Sequence, residues 1–83
     1  MQKIRQDISI GENIRKMRNV AGYTQEETVA KMQVLGCFLS RSIYSQIECG
    51  TYNIRVSELI ALKEVFHLSN FDLFFVDLFL PGE

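Results

Sequence analysis

The sequence predicts an all-α domain, and three observations lead there. Gly and Pro are sparse, at 5 and 1 of 83 residues, and alternating apolar–polar runs of the half-buried strand type are hard to find. Apolar residues recur instead at three- and four-residue spacing, the period of a helix face. Ser9, Thr24, Ser40 and Ser69 stand just ahead of these stretches, where a side-chain oxygen caps the first amides of a helix. One domain is expected at this length, near the lower limit for a self-sufficient core. A composition of 47 % hydrophobic and 23 % charged residues fits a packed fold and argues against disorder.

Five helices follow in order. Ile10, Ile14, Met17 and Ala21 form one stripe of the first, with Ser9 as N-cap and Gly22 just past its end. Its other face carries Glu12, Asn13, Arg15, Lys16 and Asn19. Residues 1–8 either extend this helix or form an arm, with Ile4 and Ile8 adding a turn or meeting a partner. Thr24-Gln25-Glu26-Glu27 is a capping box that opens the second helix. Val29 and Met32 face inward, and the helix ends between Met32 and Leu35. Gly36-Cys37-Phe38 makes the connection, and Phe38 and Leu39 turn into the core.

Ser40 caps the third helix, which presents Tyr44 and Ile47 inward and is stopped by Gly50. Its opposite side carries Ser42, Ser45, Gln46 and Cys49, flanked by Arg41, with Ile43 at the margin. Thr51-Tyr52-Asn53 is a loop. The fourth helix shows Val56, Leu59, Ile60, Leu62, Val65 and Phe66 as its apolar face. Ser69-Asn70-Phe71-Asp72 reads as a second capping box, opening a fifth helix that stops before Pro81-Gly82.

Several function classes drop out. No apolar run approaches the roughly 20 residues that span a bilayer, and the N-terminus lacks the apolar segment of a signal peptide. A cytoplasmic protein is the expectation. Cys37 and Cys49 are too few for a disulfide scaffold, and with the single His67 they make a poor metal site. No metal, no cofactor and no catalytic constellation is expected, so the chain is not read as an enzyme. Its net charge of −1 is unevenly spread. Residues 1–55 hold eight Lys and Arg against five acids, a net +3, while residues 56–83 hold one against five, a net −4. A phosphate backbone responds to the local patch rather than to the sum. A short polar-faced helix braced by another, as in residues 24–50, is the arrangement that reads base edges in the major groove.

Four segments carry a resemblance. They are Ile10-Gly11-Glu12-Asn13-Ile14-Arg15-Lys16-Met17-Arg18, Thr24-Gln25-Glu26-Glu27, Ser40-Arg41-Ser42 through Ile47-Glu48-Cys49-Gly50, and Ser69 through Phe74. In this order they resemble the lambda-repressor-like, Xre/Cro-type helix-turn-helix family, over about residues 9–75. The resemblance implies a single five-helix domain of bacterial or phage type over residues 1–83, its helix-turn-helix unit at about 24–50. It further implies sequence-specific binding of double-stranded DNA without a cofactor, usually as a two-fold dimer, with a recognition helix at about 41–49.

Carried over position by position, the resemblance implies base contacts from Arg41, Ser42, Ile43 and Gln46. Arg pairs bidentately with guanine and Gln with adenine, each worth roughly 1–3 kcal/mol of discrimination. Phosphate contacts fall to Gln25, Ser45, Asn53 and Arg55. Arg18 and Glu48 match the family's buried ion pair, tying the first helix to the end of the third. The chain departs from the pattern at three places. About five extra residues within Gln33–Phe38 lengthen the turn between the second and third helices. Thr28 and Val29 stand where Leu and Ala are usual, and Asn53-Ile54-Arg55 replaces a segment that often reads Asn-Pro-Ser.

Each signal also has a plainer reading. Arg41, Ser42 and Gln46 in isolation would be a solvated face, and it is their setting between Leu39-Ser40 and Ile47-Glu48-Cys49-Gly50 that favours DNA. The apolar segment at about 70–80 is too apolar all round for a surface helix. Part of it is expected to remain exposed as a homodimer interface; the alternative is that it folds back over the first helix. Two functions stay open: a DNA-binding transcriptional regulator, or a protein-interaction module of antitoxin-like or anti-repressor type using the same fold.

Overall fold

A computed structural model describes residues 8–80. They form four α-helices and no β-strand: α1 (Gly11–Ala21), α2 (Gln25–Val34), α3 (Arg41–Cys49) and α4 (Val56–Val65). Packing is of helix on helix, with α1 against α3 and α2 against both α3 and α4. Ile14, Met32, Tyr44, Ile47, Ile54, Leu62 and Phe74 are fully buried at the centre. No helix among the described residues is long and apolar enough to cross a membrane.

The ends of the helices follow from their caps. Ser9 Oγ accepts from the Gly11 amide at 3.0 Å, one residue ahead of Ile10, the positional cap of α1. Thr24 and Glu27 close the capping box of α2, at 3.0 and 2.8 Å. The Thr24 amide thereby holds the Glu27 carboxyl below its ordinary value. Thr28, one of the unusual residues of α2, is buried, and its hydroxyl donates to the Thr24 carbonyl. Ser40 Oγ accepts from the Ile43 amide at 3.0 Å at the start of α3. Gly22, Gly36 and Gly50 all take left-handed φ, between 79° and 86°. Each turns the chain so that the next amide reaches back to a carbonyl five residues earlier.

Five expectations are corrected. The fifth helix is reduced to a three-residue 3-10 turn, Asp72–Phe74, in place of a continuous helix. Asn70 Oδ1, not Ser69, accepts from the Asp72 amide. Asn13, expected on the solvent face of α1, is buried and explains the loss of that helix. Its Nδ2 donates to the carbonyls of Phe74 and Val76, both at 2.9 Å. A continued helix would spend those same carbonyls on amides four residues further on.

Phe38, expected in the core, is 71 % exposed. Gly36 reverses the chain so that Cys37 and Leu39 meet the core, and the residue between them points outward. On α4, Val56 and Ile60 are exposed, whereas Glu58 is buried. Leu59, Leu62, Val65 and Phe66 face inward as expected, and Glu58 and Ala61 join them. The carboxylate is tolerated there because the Tyr52 hydroxyl and the Arg55 amide donate to it at 3.0 and 2.8 Å.

In the C-terminal segment Phe74 is buried, and Phe71 and Leu78 pack partly against the core. Leu73, Phe75, Val76, Phe79 and Leu80 stay exposed. The segment thus lies back on α1 and still offers an apolar surface. Ile4 and the Pro81-Gly82 stop lie outside the described residues, as does most of the possible arm.

Replacing Asn13 by Ala strands two carbonyls and is expected to cost about 2 kcal/mol. Denaturant melts measure that loss, and faster amide exchange confined to residues 74–78 would locate it. His67, two residues past the end of α4, has φ 56°, a conformation that residues other than Gly rarely adopt. His67→Gly is accordingly expected to raise stability by up to about 1 kcal/mol in the same melts.

Candidate nucleic-acid interface

The polar side of α3 and the first turn of α2 meet in one shallow cleft. Gln25, Arg41, Ser42 and Ser45 line it, around a volume of about 300 Å³. Three of them stand on α3 at positions 41, 42 and 45, one face of a helix at its N-terminal end. Gln25 is the first residue of α2. Sequence order alone separates these groups by 16 residues or more, and the packing of α2 on α3 brings them together.

The other expected contacts are placed differently. Gln46 is exposed one turn further along α3. Ile43 is half-buried, its amide committed to the Ser40 cap. Asn53 is exposed in the loop between α3 and α4. Arg55 is half-buried at the N-terminus of α4 and does not line the cleft. Its charge acts on Cys37 and Tyr52, and its Nε is buried without a hydrogen-bond partner.

The two helices of the cleft are held by a group that faces away from solvent. Arg18 Nε donates to Glu48 Oε2 at 2.6 Å, and a second guanidinium nitrogen donates to Oε1 at 3.1 Å. The two side chains are 14 % and 4 % exposed. Arg18 also donates to the Tyr23 carbonyl at 2.9 Å, ahead of the α2 cap. Gln25 Nε2 donates to Glu48 Oε1 at 3.1 Å. One carboxylate therefore ties α1, the start of α2 and the end of α3 (Fork geometry of this kind is the strongest form of ion pair.)

Burial alone would push the Glu48 carboxyl up, but the Arg18 guanidinium, with the nearby Tyr44 hydroxyl and the Gln25 amide, outweighs it and holds it below its ordinary value. The same bond from Glu48, stronger than the opposing burial, raises Arg18. The Tyr44 hydroxyl is buried beside this pair without forming a hydrogen bond of its own. Burial, with the Glu48 charge nearby, pushes its pKa far up.

Gly11 sets the approach of α1 to α3. A Cβ there would lie 2.5 Å from the carbonyl oxygens of Ile47 and Glu48, closer than any side chain permits. Sequence reasoning found the ion pair but not the Gln25–Glu48 bond, the Gly11 contact, or the inward Glu58. Only Glu58 left a trace, as a carboxylate three residues after Arg55, the residue that caps α4.

Cys37 is half-buried, and burial raises its thiol pKa; Cys49 is exposed at the end of α3. No group of three or more His, Cys, Asp or Glu among the described residues is placed to hold a metal ion. Comparison with family models, curated proteins and solved structures finds no match to this chain.

Glu48→Ala leaves Arg18 without its partner and is expected to destabilise the fold by about 3–5 kcal/mol, measured by denaturant melts. Because the folded-state pKa of Glu48 is depressed, its contribution is complete above pH 4.5 and is lost as the pH falls through the folded value. The melting temperature of the wild type should drop more steeply over that acid range than that of Glu48→Gln.

Proposed function

We propose that this chain is a sequence-specific DNA-binding transcriptional regulator of the lambda-repressor-like helix-turn-helix type. In this reading α2 and α3 are the helix-turn-helix unit, and α3 enters the major groove. The observation that carries it is the convergence of Gln25, Arg41, Ser42 and Ser45 on one open cleft. Arg41 and Gln46 read bases, Ser42 and Ile43 assist them, and Gln25, Ser45, Asn53 and Arg55 meet the backbone. Arg41 supports the first role because it is exposed at the leading end of α3, where recognition helices contact base edges. Arg55 is assigned to the last by its place at the N-terminus of α4, next to the loop that holds Asn53.

The net +3 of residues 1–55 is modest for a DNA binder. Binding by a single chain is therefore weak and strongly salt-dependent, and a second protomer supplies the rest of the affinity. The exposed Phe75, Val76, Phe79 and Leu80 are the proposed dimer surface. Beside them an apolar groove of about 310 Å³ runs between Val20, Leu73 and Val76. To read two half-sites, a two-fold there has to hold two α3 helices about 34 Å apart, one turn of duplex. The chain acts without cofactor or catalysis, in the cytoplasm.

A second reading draws on a separate observation. Val34, Leu35 and Phe38 around the lengthened turn, with Ile60 on α4, are exposed apolar side chains that DNA binding does not use. They favour a protein partner, as in an antitoxin-like or anti-repressor role.

Duplexes selected from a random-sequence pool distinguish the two. The regulator reading expects salt-sensitive binding that Arg41→Ala with Gln46→Ala abolishes in a chain that still folds. Binding that survives the double change would reject α3 as the reading helix. Failure to enrich any duplex, together with a stable protein complex, would support the second reading.

A further inference from the structure

The carboxamide of Gln25 has a defined orientation. Its Nε2 stands 3.1 Å from Glu48 Oε1, and an ionised carboxylate only accepts, so the amide nitrogen, not its oxygen, faces Glu48. That carboxylate is itself immobilised by two guanidinium nitrogens of Arg18, at 2.6 and 3.1 Å. Arg18 is anchored in turn on the Tyr23 carbonyl. A primary amide carries two protons, and Glu48 takes one. Gln25 is also the only residue of this cluster that lines the cleft with Arg41, Ser42 and Ser45.

A glutamine free in solvent loses rotamer freedom when it docks. Here that loss falls on folding. The negative charge of Glu48 would repel a nearby phosphate, but the forked Arg18 pair neutralises it.

We propose that Glu48 is a positioning residue for the DNA backbone: it holds the Gln25 carboxamide with its second Nε2 proton turned into the cleft, toward a phosphate oxygen. The proposal rests on the DNA-binding reading above. Glu48 itself touches no DNA and acts only through Gln25. Arg18 serves the same relay one step further back, by fixing the carboxylate.

A double-mutant cycle on the full chain tests this, with a selected duplex as probe. Gln25→Ala and Glu48→Gln are each expected to weaken binding about tenfold, the scale of one lost charge-assisted contact. The double variant should bind no more weakly than Gln25→Ala alone, because Glu48 has nothing else to act through. Should Glu48→Gln fail to fold, Arg18→Met with Glu48→Met replaces the pair by apolar chains and releases Gln25 in the same way. Its binding loss should then equal that of Gln25→Ala. Losses that add in the double variant, or Gln25 side-chain amide proton resonances unmoved by removing the Glu48 charge, would overturn the relay alone. A wild-type chain that selects no duplex would remove the DNA-binding reading and the relay with it.

Discussion

The carboxylate of Glu48 is the group on which the arrangement depends. It sits at the end of α3, almost completely buried, and is charged there only because Arg18 meets it with two nitrogens and Gln25 with a third. Moving such a charge out of water carries a penalty of several kcal/mol, which the mutual attraction and the hydrogen bonds must offset. An apolar trio of similar volume would serve stability equally well. What the ion pair adds is direction: guanidinium and carboxylate lock in a planar fork, so the relative rotation of α1 and α3 is fixed as well as their distance. The start of α2 is drawn into the same geometry through Tyr23 and Gln25.

Much of this was legible in the residues. Ser40, Thr24 with Glu27, and the glycines at 22, 36 and 50 mark helix ends by local chemistry, and each acts within a few residues of itself. The apolar inward positions of α1 and α3, Ile14, Met17, Tyr44 and Ile47, followed from period alone. The outward positions on α3 followed for the same reason. What failed to show was whatever depends on a distant partner. Asn13 reads as a surface residue because the carbonyls it holds lie 61 and 63 positions away. Glu58 reads as outward because its partners, a tyrosine hydroxyl and a backbone amide, become visible only when the preceding loop folds over it.

The C-terminal segment shows how such a contact overrides propensity. Phe71 to Leu80 has the composition of a buried helix, and a side-chain amide on α1 claims two of its carbonyls instead. The chain then keeps Phe74 inside and leaves its neighbours outside. Phe71 and Phe75 flank it at ring separations of 6.0 and 6.4 Å, tilted rather than stacked, which is the arrangement aromatic quadrupoles prefer. The connection between α2 and α3 behaves alike: α2 still packs on α3, and Val34, Leu35 and Phe38 are left on the outside.

Gly11 has the widest effect for its size. With only a hydrogen on that carbon, the backbone of α1 rests directly on the last carbonyls of α3. Two rods in main-chain contact cannot slide or tilt on side-chain padding, so they travel as a single solid piece. Exchange of the solvent-facing groups on α3 would therefore change the chemistry of that surface while leaving its pose untouched.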